Sequence, residues 1–191
     1  MSKPRVLVHM CCAPDGLYVL DLLGAEYEPA GFFYNPNIQP AEEYARRLED
    51  AEKVCRLKGF ELIVGARDED RWLELTRKFQ AEPVMGRRCD VCYAVRLERT
   101  ARVAACRGFD LFTTVMSLSP HKKADVLNRI GRMFGRRHGL PFLEANFKKQ
   151  DGFNKSVAMS RGLDLYRQDY CGCVWSLAAA RDRKKHRPEK T

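Results

Sequence analysis

The 191-residue sequence has no run of apolar residues long enough to cross a membrane. Its first nine residues have neither the apolar stretch nor the small-residue cleavage site of a signal peptide, so we expect a cytoplasmic protein without membrane contact. Internal repeats and low-complexity segments are absent. A glycine-rich phosphate loop is also missing after the first predicted strand, where residues 11–15 read Cys-Cys-Ala-Pro-Asp. This argues against a nucleotide-activating or sulfur-transfer enzyme, which needs such a loop to bind ATP.

Strand-like and helix-like segments alternate along most of the sequence. Alternating or β-branched residues predict strands at Arg5–His9 and at residues 28–34, 60–64, 111–116 and 140–144. Apolar spacing predicts helices at Ala41–Lys58, at Ala124–His138 and at residues 16–23, 68–79, 92–105, 163–166 and 173–183. This order predicts a Rossmann-like (HUP-like) α/β fold, with a mostly parallel sheet and helices on both faces. We expect one catalytic domain over residues 1–176 and a basic tail over residues 177–191.

In such folds, ligands bind beyond the carboxyl ends of the strands. Three predicted loops lie at that edge, at residues 11–15, 34–40 and 117–122. A helical insert that carries Cys89 and Cys92 is expected to fold back over the same edge. The sequence therefore predicts a site where these loops meet.

Cysteines are the most informative residues that are present. Six of the eight form three close pairs: Cys11 with Cys12, Cys89 with Cys92, and Cys171 with Cys173. In a reducing compartment, such pairs more often bind metals or react than form structural disulfides. The first four thiolates satisfy either a [4Fe–4S] cluster or a structural zinc, and the cluster is favoured because adjacent cysteines make a poor zinc knuckle. The separate Cys55 and Cys106 are predicted to be core residues.

Three further features could contribute to the chemistry of the site. Gly172 lets the chain turn sharply, so Cys171 and Cys173 are candidates for a strained, redox-active disulfide, for free thiols or for metal ligands. Asp15 is either the N-cap of a helix that begins at Gly16 or an oxygen ligand of an additional metal. His121 lies in a cationic loop before a helix, which suits a phosphate group.

The formal net charge of +9 indicates an anionic partner, and nucleic acid is the usual one. Basic residues concentrate at residues 122–123, 129–137 and 181–190. The simpler interpretation is a basic surface that keeps the protein soluble.

Taken together, five motifs resemble those of one enzyme family. They are His9-Met-Cys-Cys-Ala-Pro14, Tyr34-Asn-Pro-Asn-Ile-Gln-Pro40 with Glu43-Tyr44, Arg88-Cys-Asp-Val-Cys92 with Arg96-Leu97, Ser119-Pro-His-Lys122, and Tyr166-Arg-Gln-Asp-Tyr-Cys-Gly-Cys173. The sequence resembles the QueH-type epoxyqueuosine reductases, the cobalamin-independent enzymes of queuosine biosynthesis. The resemblance extends from about residue 6 to residue 176.

The resemblance implies the last step of tRNA queuosine synthesis, in which the epoxide of epoxyqueuosine is reduced to the alkene of queuosine. It implies a [4Fe–4S] cluster on four ligands: Cys11, Cys12, Cys89 and Cys92. It also implies a redox-active disulfide between Cys171 and Cys173, and an additional mononuclear iron with Asp15 as a ligand. The expected partners are tRNA carrying epoxyqueuosine and an unidentified electron donor.

Other residues near the motifs receive roles as hypotheses. The candidate proton donors are His9, His121 and Tyr170. The candidate substrate contacts are Tyr34, Asn35, Arg96, Lys122 and Gln168. The alternative function is a zinc-stabilised RNA-binding module without catalysis.

Overall fold

A parallel sheet forms the centre of the molecule. The computed structural model describes residues 2–185, and within that range four strands form one sheet in the order β3-β2-β1-β4. The strands are β1 (Arg5–His9), β2 (Glu28–Phe33), β3 (Leu62–Val64) and β4 (Leu111–Thr114). In β1, Val6, Leu7 and Val8 are fully buried, as expected for a strand that is covered on both faces. All pairings are parallel, as the sequence predicts.

Seven helices are described around this sheet. They are α1 (Ala13–Leu23), α2 (Ala41–Lys58), α3 (Glu69–Arg77), α4 (Arg87–Cys106), α5 (Ala124–His138), α6 (Gly152–Gly162) and α7 (Val174–Lys185). The crossovers from β1 to β2 and from β2 to β3 run through α1 and α2, whereas β4 lies on the other side of β1 and is reached through α4. Right-handed crossovers in opposite directions place these helices on opposite faces. The predicted α/β fold is therefore confirmed.

The longest predicted helices are confirmed to the residue. α2 and α5 end at Gly59 and Gly139, whose φ angles of 71° and 65° are left-handed and therefore stop a helix. The cysteine-bearing helix α4 is the crossover connection that packs on β1 and β4, and it begins at Arg87, five residues earlier than predicted. After β4, a short 3-10 helix covers Val115–Leu118.

Other elements differ from the prediction. The strand predicted at residues 140–144 is wrong, because only an isolated bridge joins Phe142 to Phe112. The helical turn predicted at residues 163–166 is also wrong, and α6 lies just before it. α6 packs on α1 with the small residues Ser156 and Ser160 buried, so its sequence lacks an apolar stripe.

The carboxyl-terminal region is helical as far as it is described. α7 includes the buried Ala180, so the predicted division after residue 176 falls inside a helix. The division between domain and tail stays a prediction, and residues 186–191 of the predicted tail lie outside the described residues. Within the described residues, no helix has both the length and the apolar character needed to span a membrane.

Candidate functional site

The candidate site lies at the carboxyl edge of the sheet, next to β1 and β4. From these neighbouring strands the chain continues into helices on opposite faces, so the two strand ends form the switch point of the sheet, where α/β folds bind ligands. Cys11 and Cys12 follow β1, Tyr34 and Asn35 follow β2, and Lys122 lies between the 3-10 helix and α5. The loops that were predicted to form the site are therefore at one edge.

The adjacent pair of cysteines connects β1 to α1. Cys12 has extended backbone angles and is the N-cap residue of α1, and Pro14 lies in the first turn, where proline needs no backbone donor. Both thiols are buried. A hydrogen bond between them lowers the pKa of Cys11 and raises the pKa of Cys12. The loop thus turns both sulfur atoms into the protein.

Asp15 lies within the first turn of α1, beside this pair. Its predicted role as N-cap is wrong, because the helix begins at Ala13 and Cys12 occupies the N-cap position. The side chain is buried. Burial and the nearby charge of Cys11 raise the pKa of Asp15 to about 6. The carboxyl group therefore lies beside two thiols, and its role as a metal ligand stays a prediction.

The second pair lies on the first turns of α4. Cys89 and Cys92 are three residues apart on a helix and therefore share a face. The backbone N–H of Met85 donates to Sγ of Cys89 over 3.2 Å, and Nη1 of Arg96 lies 3.9 Å from Sγ of Cys92. Burial raises the pKa of Cys92 to about 12, against the opposing charge of Arg96.

The third pair lies in the segment that leads into α7. Cys171 is half-buried, Cys173 is buried, and both thiols are free. Cys173 belongs to a small apolar cluster with Cys92 and Trp72. Burial is the main cause of the raised pKa values of Cys89 and Cys92, and negative charge on Cys171 and Cys173 raises both values further. The second and third pairs therefore lie side by side.

Lys122 connects the third pair to the first. It is half-buried, and burial works against its charge, but the negative charges of Cys171 and Cys11 raise its pKa above the ordinary value. Asp15 acts in the same direction. Among residues 2–185, no three His, Cys, Asp or Glu side chains are close enough together to hold a single metal ion.

A network of buried hydrogen bonds lies next to the cysteines. Arg96 donates from Nε to Nε2 of His9 over 3.2 Å and from Nη2 to Oδ1 of Asn35 over 2.9 Å. Nε2 of His9 also lies 3.2 Å from the carbonyl oxygen of Tyr34, and Nδ1 lies 3.0 Å from Oγ1 of Thr114, so both ring nitrogens have partners. Burial and the charge of Arg96 lower the pKa of His9. These contacts favour a structural role for His9, Asn35 and Arg96 over proton donation or substrate contact.

The two remaining candidate proton donors differ in exposure. The hydroxyl of Tyr170 donates to the carbonyl oxygen of Gln39 over 2.6 Å, and burial, followed by the charge of Glu43, raises the pKa of Tyr170 to about 12. His121 is exposed. The choice of a proton donor between these two residues stays a prediction.

The two remaining candidate substrate contacts, Tyr34 and Gln168, are buried and half-buried. Tyr34 is buried, and its hydroxyl donates to Asp68 over 2.9 Å. Gln168 is half-buried, and within the described residues its carbonyl oxygen Oε1 has no hydrogen-bond partner.

Sequence reasoning missed two residues that shape the site. Arg47 is charged but only 1% exposed, and it lies on the buried face of α2 with Ala51, Val54 and Cys55. A charged residue on the apolar face of a predicted helix is the signal that could have revealed it. Trp72 is fully buried against Cys92 and Cys173, but its sequence position gives no such signal. The prediction for Cys55 is confirmed, whereas Cys106 is exposed and that prediction is wrong.

Comparison with known proteins gives matches over nearly the whole chain. A family model described as epoxyqueuosine reductase QueH matches residues 6–179. The protein of that name from Thermotoga maritima is 36% identical over 182 residues, which cover 93% of this chain and 93% of that protein. Those from Streptococcus pyogenes and Acinetobacter baylyi are 34% and 33% identical, over 91% and 93% of this chain and 71% and 87% of their own lengths.

Solved structures show the same fold at low sequence identity. The U34-tRNA thiolase NcsA from Methanococcus maripaludis, solved with its [4Fe–4S] cluster, has a TM-score of 0.58 at 15% identity, over 97% of this chain and 66% of its own. A predicted subunit of a tRNA methyltransferase from Methanocaldococcus jannaschii has a TM-score of 0.54 at 13% identity, over 80% of this chain and 74% of its own. These likenesses agree with the Rossmann-like (HUP-like) class.

Proposed function

This chain belongs to the QueH family of epoxyqueuosine reductases, and we propose that it reduces the epoxide of epoxyqueuosine in tRNA at the three cysteine pairs. The product is the alkene of queuosine, so the enzyme is an oxidoreductase of the last step of queuosine synthesis. The observation that carries this proposal is that the three pairs, distant in sequence, lie together at the carboxyl edge of the sheet. We assign the reaction to the cytoplasm, where thiols stay reduced.

The proposed ligands of a [4Fe–4S] cluster are the first two pairs: Cys11, Cys12, Cys89 and Cys92. Four thiolates are the donor set that such a cluster requires, and they surround four irons rather than converge on one ion. Two buried guanidinium groups, those of Arg96 and Arg47, are close enough to interact with these thiolates and would offset their charge. The residues therefore fit the group, which supplies single electrons when it is bound.

The third pair is proposed as the source of both reducing equivalents. Loss of the epoxide oxygen as water requires two electrons and two protons. When the Cys171 and Cys173 thiols join in a disulfide, they release two electrons and two protons, so the two half-reactions balance. An external reductant must then reopen the disulfide. The support for this role is the position of Cys173 beside Cys92, one of the proposed cluster ligands.

Asp15 is proposed as a ligand of an additional mononuclear iron. The support is its buried carboxyl group beside Cys11 and Cys12, because an oxygen donor in that place needs a cation or a hydrogen-bond donor. The charge of Lys122 interacts with Asp15 and with the thiols of Cys11 and Cys171. It therefore suits the role of holding an anionic group of the substrate at the site.

The tRNA is proposed to approach over the loop that contains Lys122 and over the start of α5. α5 carries basic residues along its length, but Arg136 and Arg137 are in its last turn, about 20 Å from Ala124 at 1.5 Å per residue. The amino-terminal end of α5 follows Lys122, which interacts with the cysteines. Contacts with the phosphate backbone should weaken steeply as salt increases.

The proposal is tested by the conversion of epoxyqueuosine to queuosine in tRNA, with protein purified without oxygen and a chemical reductant. Wild-type protein should form queuosine, and chelation of its iron should stop the reaction. Product formation by a preparation that holds zinc and no sulfide would overturn the proposal. That result would favour a different mechanism, whereas a zinc-stabilised RNA-binding module predicts no product at all.

A further inference from the structure

We propose that Arg47 is the positioning residue that fixes the segment Cys171–Cys173 beside the other cysteines. The inference rests on the proposed function, because it concerns the geometry of the proposed dithiol. Arg47 lies on α2, far in sequence from the segment that it contacts. Its role is to hold the backbone between the two thiols, not to touch the substrate.

The guanidinium of Arg47 binds the segment through two backbone carbonyl groups. Nη1 donates to the carbonyl oxygen of Cys171 and Nη2 to that of Tyr170, each over 3.2 Å. The ring of Tyr170 also packs against the guanidinium, with its centroid 5.4 Å from Cζ. Carbonyl oxygens that accept from a buried cation form stronger hydrogen bonds than those that accept from a neutral donor. The segment is thus held at its backbone.

Glu43 holds Arg47 in place from the other side. Nε and Nη2 of Arg47 lie 2.7 Å and 2.6 Å from the same oxygen, Oε1 of Glu43, one helical turn earlier. The second oxygen of Glu43 accepts from the hydroxyl of Tyr166 over 2.9 Å. A buried charge is costly without such partners. The guanidinium therefore has one fixed orientation, in which its remaining N–H groups point at the segment.

The opposite side of the segment fits against the loop after β2. The backbone N–H of Gln39 donates to the carbonyl oxygen of Gly172 over 2.8 Å. Gly172 has a φ of 126°, and a Cβ atom there would lie 3.0 Å from Ile38 and 3.1 Å from Asn37. Contacts on both sides therefore define the backbone between the two thiols.

Arg47 also interacts with the first cysteine pair. Burial works against its charge, but the negative charges of Cys12, Glu43 and Cys11 raise its pKa above the ordinary value. A single guanidinium thus interacts with the proposed cluster ligands and with the backbone of the proposed dithiol. This shared contact explains why a charged residue occupies the apolar face of α2.

The test compares Arg47→Gln and Arg47→Lys with Arg56→Gln, a change of the same residue type at an exposed position of α2. In Arg47→Gln, we expect kcat to fall about 10- to 100-fold because the thiols lose their alignment. The KM for tRNA should stay at the wild-type value. Lysine keeps the charge but cannot reproduce the fork of donors, so Arg47→Lys should lose less. Arg56→Gln should behave as wild type.

A second readout does not depend on activity. The rate at which iodoacetamide alkylates Cys171 should rise in Arg47→Gln, relative to the exposed Cys106 of the same molecules. An unchanged alkylation ratio together with an unchanged kcat would overturn the inference. If Arg47→Gln does not fold, kcat and the alkylation ratio are measured on Arg47→Lys instead. If Cys171→Ser keeps wild-type turnover, the proposed dithiol fails, while the alkylation ratio still tests whether Arg47 holds the segment.

Discussion

The two cysteine pairs that lie side by side, Cys89 with Cys92 and Cys171 with Cys173, are held by different means. The pair Cys89 and Cys92 is aligned by α4 itself, because residues three apart share a face of a helix. The pair Cys171 and Cys173 lies outside any helix, and side chains and backbone from α2 and from the loop after β2 determine its conformation. Residues two apart do not face each other on a helix, so a pair that closes to a disulfide needs irregular backbone and external support.

The largest expected effect comes from removing a proposed ligand on the helix. Cys89→Ser should lose most of the iron and all turnover, because a serine hydroxyl is a poor ligand for an iron–sulfur cluster. Iron and acid-labile sulfide per chain are the measurements. Cys106→Ser, at the exposed end of the same helix, is the matched control and should keep both. An intact cluster in Cys89→Ser would reassign the ligands.

A change in the pair Cys171 and Cys173 should stop turnover without loss of the cluster. Cys171→Ser is expected to keep wild-type iron and sulfide but to form no queuosine, because one remaining thiol cannot close a disulfide. The visible absorption spectrum and the tRNA assay, on the same preparation, provide the two measurements. Wild-type turnover in this variant would remove the dithiol from the mechanism.

A smaller effect is expected from the residue between the two thiols. Gly172→Ala should destabilise the protein by about 1–3 kcal/mol, because its φ of 126° strains any side-chain-bearing residue and the new Cβ would press on Ile38 and Asn37. Denaturant unfolding measures this change. Gly162→Ala is the control, because a Cβ there meets no heavy atom within 4 Å. Equal stability of the two variants would show that the segment is not held as described.

The smallest effect is expected for tRNA binding. Lys122→Met should weaken binding to tRNA, and the slope of log affinity against log salt should become less steep by about one if one phosphate contact is lost. Arg137→Met changes a basic residue at the far end of α5 and should leave both quantities near the wild-type values. Equal losses in the two variants would show that tRNA covers the whole of α5.

The sequence predicts the fold well where helices are long and have clear ends. α2 and α5 carry apolar residues at helical spacing and end at glycine, so their bounds are correct. The sequence does not predict α6, because this helix packs through small residues. It wrongly predicts a strand at residues 140–144, because the apolar residues there form only an isolated bridge and no ladder. Local patterns do not distinguish a buried loop from a strand.

Part of the site can be predicted from the sequence. Cys11 and Lys122 each follow a predicted strand, and in a parallel sheet that position alone predicts that they lie at one edge. His9 cannot be classified in that way, because a buried, partnered histidine and a catalytic one look alike in a sequence. Arg47 acts on a segment more than 120 residues away, and only the tertiary structure shows that contact.

The most direct test of the central claim is the content of iron, zinc and acid-labile sulfide per chain, in protein purified without oxygen. The proposed ligands predict about four irons and about four sulfides per chain, with more iron than sulfide if the additional ion is present. Stoichiometric zinc without sulfide would contradict the account, because the four cysteines would then hold a structural ion.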